Sequence, residues 1–165
     1  MTNQKEIKPE HVAKASSKNL DISTKHSVEI SRNLRYKSTN YAKQLLEQVI
    51  VMKKALPYRR FVHDIGHRAG MSTGRFPQKA AKQFLHLVKS VEANAQAKGL
   101  NVASLKITKI LANKASIPHT GNRWHRGTKR THIEIEVVEM AKKPEHKEKK
   151  SEKPKAASKQ KGEKQ

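Results

Sequence analysis

The stretch from Leu105 to Met140 constrains the fold more than any other part of the chain. Hydrophobic and polar residues alternate at both of its ends, more regularly in the second run than in the first. The apolar members are Leu105, Ile107 and Leu111 in the first run, and Ile133, Ile135 and Val137 in the second. A period of two is typical of strands that bury one face. The sequence therefore predicts an extended β-hairpin over residues 105–140.

The loop between these two strands, residues 113–130, is much longer than the two to five residues of an ordinary hairpin loop. Pro118, Gly121 and Gly127 argue against a helix within it. It contains no Asp or Glu, but it has five Lys or Arg residues and one tryptophan, Trp124. Cations beside an aromatic side chain favour nucleic acid as a partner. The alternative is a mobile, solvated surface loop.

The charge balance of the whole chain points to the same class of partner. Thirty-six Lys and Arg residues face 14 Asp and Glu residues, a formal net charge of +22. Self-repulsion of this size destabilises a compact protein, whereas each cation that meets a phosphate releases a counterion. The 165 residues suit one domain with tails.

Cysteine is absent from the chain, which excludes disulfides and thiolate metal sites. No apolar run approaches the roughly 20 residues of a membrane-spanning helix, and the first residues lack the apolar segment of a signal peptide. We therefore expect a cytoplasmic protein with no membrane span.

Helical periodicity is clear in two segments. Ser38 is a predicted N-cap, and apolar residues at helical spacing follow it from Tyr41 to Ile50. The pattern fades at residues 53–55, and Pro57 ends it. The second helix is predicted to begin at Pro77 and to end at Gly99. One of its faces is apolar and includes Phe84, whereas the other is basic. The basic face consists of Lys79, Lys82, His86 and Lys89. Residues 28–34 fit a strand almost as well as a short helix.

Residues 57–76 form the least regular part of the middle of the chain. Glycine recurs at every fourth position, from Gly66 to Gly74, and arginines alternate with aromatic residues. Arginine forks grip phosphates, and glycine lets a backbone lie close to a ligand. The Gly-Lys-Ser/Thr ending of a nucleotide-binding loop is missing. His63 and His67 lack a third metal ligand nearby, so we predict no metal site.

The two ends of the chain differ in composition from the middle. Residues 1–14 are polar without periodicity and are predicted to be a flexible arm. A weak strand pattern covers residues 15–22. Residues 141–165 hold ten Lys and only three apolar residues, all Ala, so this segment is predicted to be a disordered basic tail. The domain itself is predicted to span residues 15–140.

Four motifs between residues 22 and 139 resemble one family, the universal large-subunit ribosomal protein numbered twenty-two (seventeen in eukaryotic cytosolic ribosomes). The motifs are Ser23-Thr-Lys-His-Ser-Val-Glu-Ile30, Leu56-Pro-Tyr-Arg-Arg-Phe61, Gly74-Arg-Phe-Pro-Gln-Lys-Ala-Ala81 and Val91-Glu-Ala-Asn-Ala-Gln-Ala-Lys-Gly-Leu100. The insert at residues 57–76 resembles the archaeal and eukaryotic branch. Residues 113–130 form a shorter loop than is usual in the family.

The resemblance implies an α+β fold with three helices packed on a small three-stranded antiparallel sheet, from which the long β-hairpin protrudes. It implies a helix at Lys25–Arg35. It also implies that the domain binds large-subunit rRNA beside neighbouring ribosomal proteins, with its hairpin lining the peptide exit tunnel and meeting the nascent polypeptide. The candidate rRNA-binding residues are Lys25, Arg35, Arg59, Arg60, Arg68, Arg75, Lys79, Lys82, Lys114, Arg123, Trp124, Arg126, Lys129 and Arg130. The candidate tip of the hairpin is Arg123, Trp124, His125 and Arg126.

Two other classes of protein compete with a structural component of the large ribosomal subunit. A free nucleic-acid-binding protein, histone-like or chaperone-like, would use the same charge but leaves the long hairpin unexplained. An enzyme requires convergent acid, base or nucleophilic groups. The nearest approach to such a cluster is Asp64 beside His63 and His67, in a glycine-rich stretch. We therefore expect no catalytic residues and no cofactor.

Overall fold

A computed structural model describes residues 11–61, 64–121, 123 and 126–140. The helices are α1 (Thr24–Leu34), α2 (Thr39–Ile50) and α3 (Gln78–Ala97). The strands are β1 (Val12–Leu20), β2 (Leu56–Pro57), β3 (His67–Arg68), β4 (Met71–Arg75), β5 (Leu105–Lys114), β6 (His119–Thr120), β7 (Arg126–Gly127) and β8 (Thr131–Glu139). A short 3-10 turn, Val102–Ser104, leads into β5.

The main sheet is antiparallel and has the order β1–β8–β5, so the last strand of the chain lies at its centre. Ile133, Ile135 and Val137 of β8 are fully buried on the side covered by the helices. On that side α3 packs against β1 and α2, and α1 packs against β5. This arrangement confirms the predicted α+β class, with three helices on a three-stranded antiparallel sheet.

Strand β1 begins at Val12 and therefore includes residues 12–14, which the sequence assigned to a flexible arm. That boundary was wrong because backbone pairing and contacts from α3 hold these residues. Val12 pairs with Val138 in β8. The Lys98 ammonium donates to the Val12 carbonyl at 2.8 Å, and the Asn94 amide donates to the Lys14 carbonyl at 2.9 Å. Residues 1–10 of the predicted arm lie outside the described residues.

The hydrophobic alternation of β5 changes phase at a β-bulge between Ile107 and Lys109. Before the bulge Ile107 is buried, and after it the buried residue is Ile110. Leu111 is only partly buried, so its predicted place on the core face was wrong. A bulge inserts one extra residue into one strand, and every later side chain then changes face.

Residues 28–34, which the sequence left open between strand and helix, belong to α1. Ile30 and Leu34 are fully buried along one side of this helix. The helix implied by the family resemblance at Lys25–Arg35 is confirmed within one residue at each end. It stops where the Tyr36 amide donates to the Ile107 carbonyl at 2.9 Å, which joins the following residues to the edge of β5.

The two helices predicted from periodicity are present with their predicted signals. The Ser38 side chain accepts a hydrogen bond from the Tyr41 amide at 3.3 Å, as an N-cap does. Helix α3 begins at Gln78, one residue after the start predicted at Pro77, and Pro77 is its N-cap. At the other end of α3, Gly99 has φ +73°, and the Leu100 amide returns to the Ala95 carbonyl at 3.0 Å. This is the Schellman arrangement that glycine permits.

The stretch that looked irregular, residues 57–76, contains a second small sheet of order β2–β4–β3. Gly70 has φ +73° in the turn between β3 and β4. A Cβ atom on Gly74 would lie 2.7 Å from the Met71 sulfur, so a larger residue here would force the Met71 side chain to move. The periodicity of the sequence missed this sheet because two of its strands have only two residues.

No helix in the described part of the chain is long and apolar enough to cross a membrane. The predicted basic tail, residues 141–165, lies outside the described residues, as do His63, Trp124 and His125.

Candidate nucleic-acid interface

The exposed face of α3 carries the basic residues that periodicity placed there. Lys82, His86 and Lys89 are exposed, whereas Phe84 on the opposite face is fully buried. Lys79 at the start of the helix forms an ion pair with Asp21. This hydrogen bond and the charge of Lys79 lower the pKa of the Asp21 carboxyl below its usual value. Among the described residues, Lys79 is therefore the one member of this face that has an anionic partner.

A buried carboxylate, Glu29 in α1, holds the segment that presents the next two candidate arginines. Its side chain is completely buried. Its oxygens accept hydrogen bonds from three successive amides, those of Arg59 at 3.3 Å, Arg60 at 2.7 Å and Phe61 at 2.9 Å. The carboxylate thus binds backbone rather than guanidinium groups. As a result, the exposed side chains of Arg59 and Arg60 remain available to an external anion.

Aromatic rings lie beneath two of the candidate arginines. The Arg60 guanidinium is 5.4 Å from the centre of the Phe61 ring, and the Arg68 guanidinium is 5.4 Å from that of Phe76. Such contacts restrict the guanidinium plane while leaving its outer face to a ligand. Arg75 differs, because its guanidinium donates to the carbonyl of Gly66 at 3.0 Å. Its contacts within the chain stabilise the small sheet.

The base of the hairpin is fixed to the start of α1. The Thr131 hydroxyl is buried, donates to the Ile22 carbonyl at 2.9 Å and lies 2.9 Å from the Thr24 hydroxyl. Next to it the Ala115 amide donates to the Arg130 carbonyl at 3.1 Å. Beyond this point strands β6 and β7 pair, so the hairpin continues as a narrow two-stranded ribbon. The loop predicted at residues 113–130 is therefore partly paired.

A cleft of about 320 Å³ lies between the start of α1 and the base of the hairpin. It brings together four candidate residues that are far apart in the sequence. These cations are Lys25, Lys114, Lys129 and Arg130. Among the described residues, none of the four lies within ion-pair distance of a carboxylate. We call this the arm-base cleft.

A larger, open cleft of about 540 Å³ adjoins the arm-base cleft and lies between the starts of α1 and α3. Burial lowers the pKa of His26 in its wall, and the charge of Lys129 lowers it further. His26 is therefore neutral at pH 7. The positive charge of this region comes from its lysines rather than from the imidazole.

A third cleft, of about 230 Å³, lies at the opposite end of α1. The candidates Arg35 and Arg59 line it, together with Arg32 and Lys37, which the sequence did not single out. Their only sequence signal was a concentration of cations within six residues, which by itself fits any solvated helix end. We call this the helix-end cleft, and the two named clefts together are the α1 surface.

The α1 surface therefore divides the candidate residues between two sites. The 11 residues of α1 rise about 16 Å along the helix axis, so two separate stretches of a ligand would occupy the clefts. Of the predicted hairpin tip, Arg123 is exposed. Trp124 and His125 lie outside the described residues, and for Arg126 the structure describes the backbone only.

In the described part of the chain, no group of three or more His, Asp or Glu side chains is arranged to hold a metal ion. The described clefts are open and predominantly basic, with Asp21 as the only carboxylate among their lining residues.

The comparison with protein-family models decides the family. The model described as "Ribosomal protein L22p/L17e" matches residues 15–138. The chain belongs to this family. A similar protein is "Large ribosomal subunit protein uL22" of Methanoculleus marisnigri, 38% identical over 144 residues, which are 82% of this chain and 94% of that protein. The protein of the same name from Ignicoccus hospitalis is 41% identical over 150 residues, 82% of this chain and 92% of its own length.

Family membership confirms two predictions from the sequence. The relatives are archaeal, in agreement with the branch suggested by the insert at residues 57–76. The family is a structural ribosomal one, so the prediction that this chain is not an enzyme is also confirmed.

Proposed function

We propose that this chain is a structural constituent of the large ribosomal subunit in the cytoplasm. Its relatives are named "Large ribosomal subunit protein uL22", and the chain aligns with them over most of their length. We further propose that it binds large-subunit rRNA through the α1 surface, the exposed face of α3 and the arginines of the small sheet. Neighbouring ribosomal proteins complete its surroundings in the subunit.

The observation that carries rRNA binding is the accumulation, in concave sites, of cations that have no carboxylate partner among the described residues. A phosphodiester backbone supplies regularly spaced anions, and contacts with it fix the position of a protein without reading sequence. The arm-base cleft offers four cations to such a backbone. Arg60 and Arg68 add guanidinium groups whose planes rest on aromatic rings. The surface thus offers cations on several of its sides to a folded RNA.

The hairpin is the part that we assign to the peptide exit tunnel. Its base is held by the buried Thr131 hydroxyl, and beyond that base its two strands pair again as β6 and β7. A narrow ribbon rich in Lys and Arg fits between RNA elements where a globular domain does not. Arg123, Trp124, His125 and Arg126 at the tip would then meet rRNA and the nascent polypeptide.

Sedimentation tests the assignment to the subunit. The full chain, carrying a small epitope, should travel with large subunits through a high-salt gradient. A chain that dissociates from the subunits and binds DNA and RNA indiscriminately would instead support a free nucleic-acid-binding protein. The same gradient run with a nuclease-treated sample provides the control, because release should then follow degradation of the rRNA.

Cross-linking from position 124 tests the placement of the hairpin. A photoreactive residue introduced there should form adducts with tunnel rRNA or with the nascent peptide in assembled ribosomes. Adducts confined to proteins of the outer surface would contradict the tunnel assignment. Replacing residues 116–129 with a short turn should leave the domain folded and able to enter the subunit, since the main sheet closes at Lys114 and Thr131.

A further inference from the structure

The helix-end cleft concentrates positive charge without an anion to balance it. Four cationic side chains line a space of about 230 Å³, together with Asn33 and Pro57, and no carboxylate is among the lining residues. The four cations are Arg32, Arg35, Lys37 and Arg59. None of them forms an ion pair with a carboxylate in the part of the chain that the structure describes.

Interactions within the chain account for only part of this charge. The last turn of a helix attracts cations, which explains Arg32 at the end of α1. The Arg35 guanidinium donates to the Ile110 carbonyl at 3.3 Å and so helps to join α1 to β5. Lys37 and Arg59 lie outside the helix on different segments. Because like charges around one concavity repel each other, a bound anion would stabilise the arrangement.

Hydrogen bonds from or to the backbone fix both sides of the cleft to neighbouring elements. The Ile107 amide donates to the Lys37 carbonyl at 2.9 Å, which fixes that side to β5. The Arg59 amide donates to the buried carboxylate of Glu29, which fixes the other side to α1. A site whose backbone is already ordered loses less entropy on binding. The cleft is therefore a prepared site rather than a chance grouping of mobile side chains.

Tyr36 follows the end of α1, and its amide joins this turn to Ile107 of β5. Its φ of +64° is in the left-handed region, which non-glycine residues other than Asn and Asp adopt at a cost. Its side chain is 64% exposed, so burial does not compensate for that strain. Tyr36 lies between Arg35 and Lys37, both of which line the cleft. Strained residues of this kind concentrate at binding sites.

We propose that the helix-end cleft binds a backbone phosphate of an unpaired rRNA nucleotide, and that Tyr36 stacks on the base of that nucleotide. A cationic cleft, together with an exposed phenol ring on the residue between two of its lining cations, matches the phosphate and the base of a single-stranded nucleotide. Only an unpaired base offers its flat face, so the ligand is a bulged or looped residue and not a duplex groove. This inference rests on the proposed rRNA-binding function and specifies one site within it.

The central test uses Tyr36→Asn, because asparagine tolerates a positive φ but cannot stack as tyrosine does. The full chain is bound to its large-subunit rRNA, the affinity is measured, and each base is probed chemically. Tyr36→Asn should melt at or above the temperature of the unchanged chain. It should bind about 5- to 100-fold more weakly and expose one base that the unchanged chain protects. Tyr36→Phe, which retains the ring, should bind like the unchanged chain.

A double substitution of two lining cations tests the proposed phosphate contact. Arg32→Gln with Lys37→Gln should weaken binding and expose the same nucleotide. Lys53→Gln with Lys54→Gln removes the same charge from exposed residues that line none of the described clefts, and it should leave that nucleotide protected.

Three results would overturn the inference. The first is a Tyr36→Asn variant that retains full affinity and every protection, and the second is exposure of the same base by the Lys53 and Lys54 control. A photoreactive residue at position 36 that forms adducts only with a neighbouring protein would also contradict it. If instead the unchanged chain protects no part of the rRNA, the proposed function itself fails, and the two failures are thereby distinguished.

Discussion

The outer face of the main sheet and the α1 surface both carry many charged side chains, but they use them differently. On the outer face, the Glu136 carboxylate forms ion pairs with the ammonium groups of Lys14 at 3.1 Å and Lys109 at 3.5 Å. Both cations therefore have an anionic partner within the chain. On the α1 surface the cations face open clefts without a carboxylate partner. A net charge of +22 therefore does not by itself locate a binding site. The absence of carboxylate partners among the described residues is the difference on which our proposal rests.

Glu29 shows how the α1 surface keeps its cations free. It is a fully buried acid close to several arginines, yet its oxygens accept only backbone amides among the described contacts. An ion pair with Arg59 or Arg60 would have consumed the charge that the surface presents. The buried acid therefore orders the segment that carries Arg59 and Arg60 without neutralising either side chain.

The largest effect that we predict follows from removing this acid. Glu29→Ala leaves up to three amides without their acceptor, and each buried unsatisfied group costs about 1–3 kcal/mol. Since part of the segment can turn toward water, we expect the free energy of unfolding to fall by about 3 kcal/mol. Chemical denaturation measures it. Glu134→Ala, which removes an exposed acid from the outer face, should change it by less than about 0.5 kcal/mol.

The second prediction tests the difference between the two regions directly. Lys25→Gln with Lys114→Gln removes two unpaired cations from the arm-base cleft. If both contact phosphates, the slope of log affinity for rRNA against log salt should become shallower by about 1.4–1.8. Lys14→Gln with Lys109→Gln removes two cations that already pair with Glu136, and the slope should hardly change. Equal changes in the two variants would mean that pairing within the chain does not select the binding surface.

Periodicity predicted α2, α3 and the two long strands of the hairpin, whereas α1 and the packing of three helices on the sheet were implied by the family resemblance. The alternation in β8 and the apolar stripe of α3 arise from burial of one face, and burial leaves a pattern in the sequence whatever the details of packing. The bulge in β5 shifted that pattern by one residue, and β1 gave only a weak pattern because three of its nine residues are Ser or Asn. Pairing with β8 and contacts from α3 decide the conformation of β1.

Sequence reasoning named individual candidate residues but could not predict which of them lie together. It identified Lys25 and Lys129 as candidates, but nothing in the sequence indicated that they share a cleft. It missed Arg32 and Lys37, because a cation at a helix end is ordinary until the other side of its cleft is known. Glu29 was hidden for a similar reason, since its role depends on amides 30 residues further along the chain.

A third prediction compares hydroxyl groups from the two regions. Thr131→Val removes a buried hydroxyl that joins the hairpin base to Ile22 and Thr24. Losing this hydrogen bond leaves the Ile22 carbonyl without that donor, and we expect a cost of about 1–2 kcal/mol in thermal unfolding. Thr108→Val is the matched control, because its half-buried hydroxyl donates to the Glu136 carbonyl at 3.2 Å. Water can replace that donor, so the control should lose less than the Thr131 variant.

The smallest effect concerns the pH dependence of the outer face. Burial raises the pKa of the Glu136 carboxyl, but the hydrogen bond and charge of Lys14, together with Lys109, outweigh burial and lower that pKa below its ordinary value of 4.5. A carboxyl whose pKa is lower in the folded state binds protons more readily when the chain is unfolded. Its contribution to stability is therefore present above pH 4.5 and is lost as the pH falls through the folded-state pKa.

Replacing this carboxyl should make the acid limb of the stability curve shallower. Because the ion pairs are partly exposed, we expect Glu136→Gln to lower the free energy of unfolding at pH 7 by less than about 1 kcal/mol. The difference from the unchanged chain should shrink as the pH is lowered from 5 toward 2, roughly the range in which such carboxylates take up protons. Glu134→Gln, the matched control, removes a carboxyl from the same strand that makes no ion pair among the described residues. If the difference in free energy of unfolding between Glu136→Gln and the unchanged chain stays constant with pH, loss of the carboxyl acts through packing. The two regions would then differ less in charge pairing than the ion-pair distances imply.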